Sequence, residues 1–170
     1  ILSAGELIKR KNHETMIRVM KKLKDENVIY LICGHGELEG YLKNLTHSLG
    51  LDGKVRFLGY REDIFDIYHV ADVFVFPSYQ EGLPFALLEA MACGVPVLTT
   101  HAASLPEVVG EDAVVADPYS PESIAAGLEQ LYTDEALRQK LREAGPKRAA
   151  QFTWERSAEQ LYAVYQCLRT

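Results

Sequence analysis

Cysteine is scarce in this chain of 170 residues, and its three residues, Cys33, Cys93 and Cys167, lie far apart. This usage argues against a disulfide framework and against a zinc site, and it is typical of a reducing compartment. Long apolar runs are also missing, which argues against a membrane-spanning helix. Nothing at the start of the chain resembles a signal peptide. We therefore expect a cytoplasmic protein.

Positive charge is scarce over much of the chain. The formal net charge is −6, which disfavours general nucleic-acid binding. No lysine or arginine occurs from Glu62 to Leu137, so the basic side chains that could bind phosphate are few. They are residues 9–11, Lys54, Arg56, Arg61 and those of the C-terminal helices. A second basic group, Lys21, Lys22 and Lys24, is interpreted as the solvated end of a helix.

Short apolar segments alternate with amphipathic ones along the whole chain. The pattern predicts strands over residues 1–4, 28–33, 55–58, 72–76, 95–99 and 113–116. It predicts helices after an Asn12 N-cap and over residues 38–49, 64–70, 84–93, 120–132, 135–151 and 154–168. Such alternation indicates an α/β fold with a doubly wound parallel sheet, in one domain spanning residues 1–170. In such folds ligands bind beyond the carboxyl ends of the strands.

A glycine turn, Gly34-His35-Gly36, follows one of these predicted strands and opens a helix. It nearly matches the dinucleotide fingerprint, but Glu39 stands where the third glycine belongs. A glutamate there would hinder close helix–strand packing and repel a pyrophosphate, which argues against NAD. Two interpretations stay open: a turn that lets another ligand approach the backbone, or a turn with no ligand role.

Two glutamates, Glu81 and Glu89, are separated by seven residues. Glu81 lies in the loop before a predicted helix, and Glu89 lies within it among apolar residues. The free amides of a helix N-terminus form an anion site. A carboxylate further along can accept hydrogen bonds from ribose hydroxyls, and one in the loop can reach a sugar. The alternative is that both are ordinary helix glutamates, although a charge in apolar surroundings needs a partner.

The stretch from Pro77 to Val97 resembles the E-x7-E motif of the retaining glycosyltransferases of family 4, also called glycosyl transferases group 1. Further family motifs follow in family order: Gly5 to Lys11-Asn12, Gly34-His35-Gly36, Phe57-Leu58-Gly59, Ala71 to Ser78, Gly94 to Val97 and Pro106-Glu107-Val108. The resemblance covers residues 1–168. It implies a GT-B fold, in which two Rossmann-like domains face each other across a cleft. This chain then corresponds to the C-terminal, donor-binding domain, and the N-terminal acceptor domain is absent.

The resemblance also implies a binding site for a nucleoside diphosphate sugar, with a UDP-sugar expected and neither cofactor nor metal ion. Glu81 and Lys11 would be the catalytic residues, contacting the transferred sugar and neutralising the diphosphate, and Glu89 would bind the ribose. The other donor-binding residues implied are Arg10, Gly5, Gly34, Gly36, the backbone at Tyr60 and Arg61, and the amides of Leu83 and Phe85.

Two positions depart from the family pattern. Glu6 stands where many members have arginine, so that Arg10 would have to supply this charge. Pro84 stands where many members have glycine, which removes one N–H group from the anion site.

Three functions remain open at this stage. The first is the donor-binding domain of a retaining glycosyltransferase that acts on a saccharide or lipid-linked acceptor, in polysaccharide or glycoconjugate biosynthesis. The second is a nucleotide or nucleotide-sugar binding module, and the third is another GT-B enzyme such as a nucleotide-sugar epimerase. The expected partners are the donor and the N-terminal domain, with membrane contact only through the full-length protein. The amphipathic spacing from Trp154 to Leu168 favours core or interdomain packing over a stacking platform.

Overall fold

The computed structural model describes residues 1–23 and 27–168. Its strands are β1 (Leu2–Ala4), β2 (Tyr30–Cys33), β3 (Val55–Gly59), β4 (Phe74–Phe76), β5 (Val97–Thr100) and β6 (Val114–Ala116). Its helices are α1 (His13–Lys22), α2 (Glu39–Ser48), α3 (Ile64–Val70), α4 (Phe85–Ala92), α5 (Leu105–Val109), α6 (Pro121–Thr133), α7 (Glu135–Ala149) and α8 (Trp154–Cys167). A 3₁₀ turn at Lys9–Lys11 precedes α1.

The strands form one parallel sheet in the order β3-β2-β1-β4-β5-β6. The chain winds outward from β1 to β3, returns to place β4 beside β1, and then winds outward in the other direction. This confirms the predicted doubly wound, Rossmann-like sheet. The direction of winding reverses between β1 and β4. In doubly wound sheets, ligands bind beyond the carboxyl ends of the strands at such a reversal.

The sheet is buried on both faces because helices cover both. Successive residues of a strand point to opposite faces. In β4, Val75 therefore packs with the buried residues of α1, α2 and α6, whereas Phe74 and Phe76 pack with those of α3, α4 and α5. Burial on both faces explains why the strands were recognisable as short, nearly continuous apolar runs.

The predicted strand boundaries differ from the structure in a regular way. The strands predicted at 28–33, 72–76 and 95–99 each begin two residues later. Val73 and Val95 are buried just ahead of their strands, so the apolar pattern is longer than the strand at its N-terminal end. Helix α5 was not predicted, because five residues are too few to show a helical period.

The last helix does not pack into the core. The described residues of α8 are all exposed, and the Trp154 side chain is 75% exposed. The Trp154 ring lies 6.1 Å from the ring of Phe85, which is itself exposed. The expectation of core packing is therefore wrong for this helix, while packing against another domain stays a prediction. Among the described residues, no helix is long and apolar enough to cross a membrane.

The basic end of α1 is solvated, as predicted. Lys21 and Lys22 are exposed, and both have partners at the surface. Lys21 donates to the carbonyl of Leu49, and Lys22 pairs with Glu122 at 2.7 Å. Lys24 lies outside the described residues.

Candidate functional site

The loops after β1 and β4 are tied to each other at the point where the winding reverses. The amide of Tyr79, three residues beyond β4, donates to the carbonyl of Arg10 at 2.8 Å. This bond joins the loop after β4 to the 3₁₀ turn that carries the basic cluster. The predicted cation source and the loop that leads to Glu81 therefore lie side by side at the carboxyl edge.

Asn12 fixes this junction with its side chain. It precedes α1, as predicted for an N-cap, but its backbone is left-handed (φ 57°) and its side chain makes no capping hydrogen bond. Instead, the buried amide Nδ2 donates to the carbonyls of Pro77 and Pro118 at 3.0 and 3.1 Å. The predicted capping role is therefore wrong. The two N–H donors of the Asn12 amide thus join the loops that follow β4 and β6.

Glu81 lies between the two cations that the sequence singled out. Its Oε1 atom is 2.8 Å from Lys11 Nζ, and its Oε2 atom is 3.2 Å from Arg10 Nη1. Lys11 also lies over the ring of Phe76, with 4.5 Å between Nζ and the ring centroid. The side chains of Lys11 and Glu81 are 12% and 6% exposed, whereas that of Arg10 is 46% exposed. Lys11 is therefore the more desolvated cation, and its charge is screened less by solvent than that of Arg10.

The loop that carries Glu81 is held from the other side by Ser104. The Ser104 hydroxyl lies 3.0 Å from the carbonyl of Glu81 and also contacts the carbonyl of Gly82. Ser104 immediately precedes α5, the helix that sequence reasoning missed. The backbone at Glu81 is thus positioned by the segment after β5 as well as by the basic turn.

Glu89 lies within α4 and meets a residue that the sequence analysis did not single out. The Tyr68 hydroxyl, from α3, is 3.1 Å from Glu89 Oε2. Glu89 is half-buried, and its neighbours Leu87, Ala90 and Met91 are fully buried. The sequence did carry a signal, since a tyrosine at an apolar helix position brings a hydroxyl that needs a partner.

The Gly34-His35-Gly36 turn packs its backbone against the loop after β1. A Cβ atom at Gly34 would overlap the carbonyl oxygen of Gly5, and one at Gly36 would lie 2.5 Å from the carbonyl oxygen of Leu7. Backbone contact between the two loops is thus sufficient reason for both glycines. This contact also places Gly5, Gly34 and Gly36 beside the basic turn, at the same carboxyl edge of the sheet as Lys11.

The end of β3 joins this edge through His35. The amide of Tyr60 donates to His35 Nε2 at 3.0 Å, so the ring proton of the neutral imidazole is on Nδ1, 3.2 Å from Glu39 Oε2. The Arg61 guanidinium forms a two-pronged pair with Asp63, which holds the pKa of that carboxyl below its ordinary value. The Tyr60 amide and the Arg61 side chain therefore both have hydrogen-bond partners within the chain. The predicted contact of the backbone at these residues with a nucleotide base stays a prediction.

Helix α4 presents its N-terminus to the same region. Pro84 precedes the first helical residue, Phe85, and no acidic residue occupies the first turn. The first amides of a helix lack intrahelical partners and carry the positive end of its dipole. Leu83 and Phe85 have exposed side chains, 47% and 53% respectively. The segment thus offers backbone donors at the helix start and the Glu89 carboxylate a turn further along. Among the described residues, no group of three or more His, Cys, Asp or Glu side chains is placed to hold a metal ion.

Comparison with known proteins decides the family. The family model described as glycosyl transferases group 1 matches residues 1–148. The chain belongs to the glycosyl transferases group 1 family. Among its curated relatives, the D-inositol 3-phosphate glycosyltransferase of Corynebacterium diphtheriae is 36% identical over 174 residues, 95% of this chain and 40% of that protein. The O-antigen chain mannosyltransferase B of Escherichia coli is 35% identical over 173 residues, 98% of this chain and 45% of that protein.

Solved structures of glycosyltransferases share the fold. Anabaena Alr3699/HepE, in complex with UDP and glucose, has a TM-score of 0.85 at 22% identity, covering 95% of this chain and 48% of that one. The C-terminal domain of the group 1 family protein LpcC from Francisella tularensis has a TM-score of 0.78 at 24% identity, covering 88% and 84%. The sheet is thus a Rossmann-like domain of GT-B type. The chain spans less than half the length of the two curated relatives it is compared with.

Proposed function

We propose that this chain is the C-terminal, donor-binding domain of a retaining glycosyltransferase. It binds a nucleoside diphosphate sugar, with a UDP-sugar the expected donor, and the sugar passes to a saccharide or lipid-linked acceptor. An N-terminal domain outside this chain binds the acceptor, and neither cofactor nor metal ion takes part. The protein acts in polysaccharide or glycoconjugate biosynthesis in the cytoplasm.

The observation that carries this proposal is the convergence of Lys11, Glu81 and the start of α4 at one edge of the sheet. They come from different parts of the sequence, and they meet where the winding of the sheet reverses. In doubly wound sheets this is the place where nucleotides bind. The relatives add two supporting facts: the structure of HepE holds UDP and glucose, and the O-antigen relative is named a mannosyltransferase.

Each part of the site has a distinct task in this proposal. Lys11, with Arg10 beside it, supplies positive charge to the diphosphate as the bond to the sugar breaks and the leaving group gains charge. The amides at Leu83 and Phe85 add the helix N-terminus to the same task. Glu89 accepts hydrogen bonds from the ribose hydroxyls, and Glu81 contacts the transferred sugar. The chemistry therefore needs no proton transfer from this domain to the leaving group.

Thermal unfolding with nucleoside diphosphates tests the donor site. UDP, GDP, ADP, dTDP and CDP are compared, each at about 100 times its dissociation constant, where binding adds roughly 2.7 kcal/mol to the free energy of unfolding. For a domain of this size the melting temperature should then rise by roughly 5–10 °C. Glu89→Ala should abolish the rise, and Glu129→Ala, the same change at an exposed glutamate of α6, should not. No rise with any of the five nucleotides would contradict the donor site.

Product analysis on the full-length protein tests the reaction. The anomeric configuration of the product distinguishes transfer with retention from inversion. A sugar with one ring stereocentre inverted and no transfer to an acceptor would indicate epimerising chemistry. The isolated chain should bind nucleotide and transfer little or no sugar. Sugar transfer by these 170 residues alone would contradict the two-domain part of the proposal.

A further inference from the structure

Tyr68 is a buried tyrosine of α3 whose hydroxyl reaches across to α4. Its side chain has no exposed area, and its ring packs edge-on against Phe74, with 5.6 Å between centroids and 70° between planes. A second edge-on contact is made with Phe65 at 6.1 Å. Because neighbouring rings hold it on two sides, the ring keeps one position and the hydroxyl oxygen is fixed relative to α4.

The hydroxyl has two acceptors within reach, both on α4. Glu89 Oε2 lies at 3.1 Å and the carbonyl oxygen of Ala86 at 3.2 Å. The hydroxyl has one proton, and an ionised carboxylate is a stronger acceptor than a carbonyl. Burial, together with the charge of Glu89, raises the pKa of Tyr68, so the hydroxyl keeps its proton and remains a donor.

A glutamate in a helix has several rotamers, and the Tyr68 hydroxyl selects one for Glu89. A carboxylate has about four lone-pair sites, of which this hydrogen bond fills one on Oε2. The remaining sites can accept from hydroxyls of a ligand, and the selected rotamer decides where those sites point. Without this hydrogen bond, the Glu89 side chain would be ordered only when the ligand binds. The loss of rotamer entropy would then reduce the affinity for the ligand.

We propose that Tyr68 is a positioning residue that holds the Glu89 carboxylate in its ribose-binding orientation and so sets the preference of the site for ribonucleotides. The inference rests on the proposed function, because Glu89 must bind ribose for its orientation to matter. If Tyr68 were only a core residue, its substitution would change stability, and it would change the affinity for nucleotides with and without ribose hydroxyls equally.

The test compares a nucleotide with its analogue that lacks both ribose hydroxyls. Calorimetric titration of the full chain is done with whichever of UDP, GDP and ADP binds most tightly, and with its 2′,3′-dideoxy form. We expect Tyr68→Phe to weaken the ribonucleotide roughly threefold to tenfold, as for the loss of one typical hydrogen bond, and to leave the dideoxy form unchanged.

Tyr30→Phe is the matched control. Tyr30 is another fully buried tyrosine, and its hydroxyl donates to Ser3 Oγ at 2.9 Å, on the opposite face of the sheet from Tyr68. It should lower stability and keep the ratio of the two affinities.

Equal weakening of both nucleotides by Tyr68→Phe, or no weakening of either, would overturn the positioning role while leaving the proposed function intact. A wild-type chain that does not distinguish the two nucleotides would instead refute the assignment of Glu89 to the ribose, and the role of Tyr68 with it.

Discussion

Lys11 Nζ lies 2.8 Å from Glu81 Oε1, and Arg10 Nη1 lies 3.2 Å from the other oxygen of the same carboxylate. The residues assigned to the diphosphate and to the sugar thus form one charge cluster. In the proposed function, a diphosphate must compete with Glu81 for these cations. This competition gives Glu81 opposite effects on two ligands, since it opposes the diphosphate and attracts the sugar hydroxyls.

Glu81→Gln should therefore tighten the binding of a nucleoside diphosphate and weaken that of the nucleoside diphosphate sugar. With the carboxylate gone, the cations are free for the phosphates, and we expect roughly threefold to tenfold higher affinity for the diphosphate. The same change leaves Lys11, whose side chain is largely buried, without its carboxylate partner, so the free energy of unfolding should fall by about 1–3 kcal/mol without nucleotide. Titration calorimetry and thermal unfolding measure the two effects.

Glu122→Gln is the control for this change. Glu122 pairs with Lys22 at 2.7 Å, but the two side chains are 73% and 54% exposed. Exposed ion pairs contribute little, so this substitution should alter neither stability nor nucleotide affinity appreciably. If Glu81→Gln weakened the diphosphate as well as the sugar nucleotide, the competition would not exist.

Asn12 contributes to stability both through its left-handed backbone and through its side-chain hydrogen bonds. Glycine and alanine substitutions distinguish the two contributions. Its φ of 57° suits glycine better than alanine, by about 1 kcal/mol, and its buried amide makes two hydrogen bonds. Asn12→Gly should lower the free energy of unfolding by about 1–3 kcal/mol, from the lost hydrogen bonds alone. Asn12→Ala should lower it by about 1 kcal/mol more. Urea denaturation measures both.

The reverse order is expected at Asn44, an exposed residue inside α2. There alanine should be more stable than glycine by about 1 kcal/mol, because glycine is the poorer helix former. Equal stability of the alanine and glycine variants at Asn12 would show that the left-handed backbone makes no difference there.

The fold was predictable because it depends on patterns that a single segment displays. The four central strands, β2, β1, β4 and β5, are buried on both faces and stand out as apolar runs, and each long helix shows its period. Helix α5 was not predictable because its five residues show no period. The amphipathic spacing of α8 was read correctly as a helix, but spacing alone does not say which surface covers the apolar side.

The candidate site was only partly predictable for a different reason. Lys11, Glu81 and Glu89 were found because their types and spacing match a family motif. The partners that hold them were not found, since Asn12 reaches Pro118 across 106 positions and Tyr68 reaches Glu89 across 21. Such contacts depend on how the loops cross at the sheet edge, which local sequence does not specify. The glycines of the 34–36 turn were noticed, but the backbone against which they pack belongs to the loop that follows another strand.

His13 should make stability depend on pH. A chain of hydrogen bonds runs from His13 Nδ1 through the Tyr30 hydroxyl and Ser3 Oγ to the carbonyl of Val75, at 3.3, 2.9 and 2.6 Å. A carbonyl only accepts, so every group before it donates and His13 carries its proton on Nδ1. Burial, and secondarily the charge of Lys11, lowers the pKa of His13 from 6.5 to about 4.

Because the folded pKa is depressed, the unfolded chain binds the extra proton more readily between pH 6.5 and 4. The neutral imidazole's contribution is complete above pH 6.5 and is lost as the pH falls toward 4, about 3 kcal/mol in all. His13→Gln should remove this dependence of the free energy of unfolding on pH, although it lowers stability at pH 7. Urea denaturation at intervals from pH 7 to 4 measures it. His47→Gln, the same change at an exposed histidine, is the control, and an equal loss of slope in both variants would contradict the assignment to His13.

Gly34 and Gly40, six positions apart, should show opposite changes in the free energy of unfolding when each is replaced by alanine. Gly34 has a φ of +135°, and a Cβ atom there would overlap the backbone of Gly5, so Gly34→Ala should cost more than about 3 kcal/mol. Gly40 lies near the start of α2 with nothing within 4 Å of its Cβ position. Gly40→Ala should therefore raise the free energy of unfolding by about 0.5–1 kcal/mol, because alanine is the better helix former. Thermal and urea unfolding distinguish the two. A Gly34→Ala variant as stable as the wild type would mean that the loops after β1 and β2 are not in backbone contact. It would also contradict the placement of Gly34 beside Lys11.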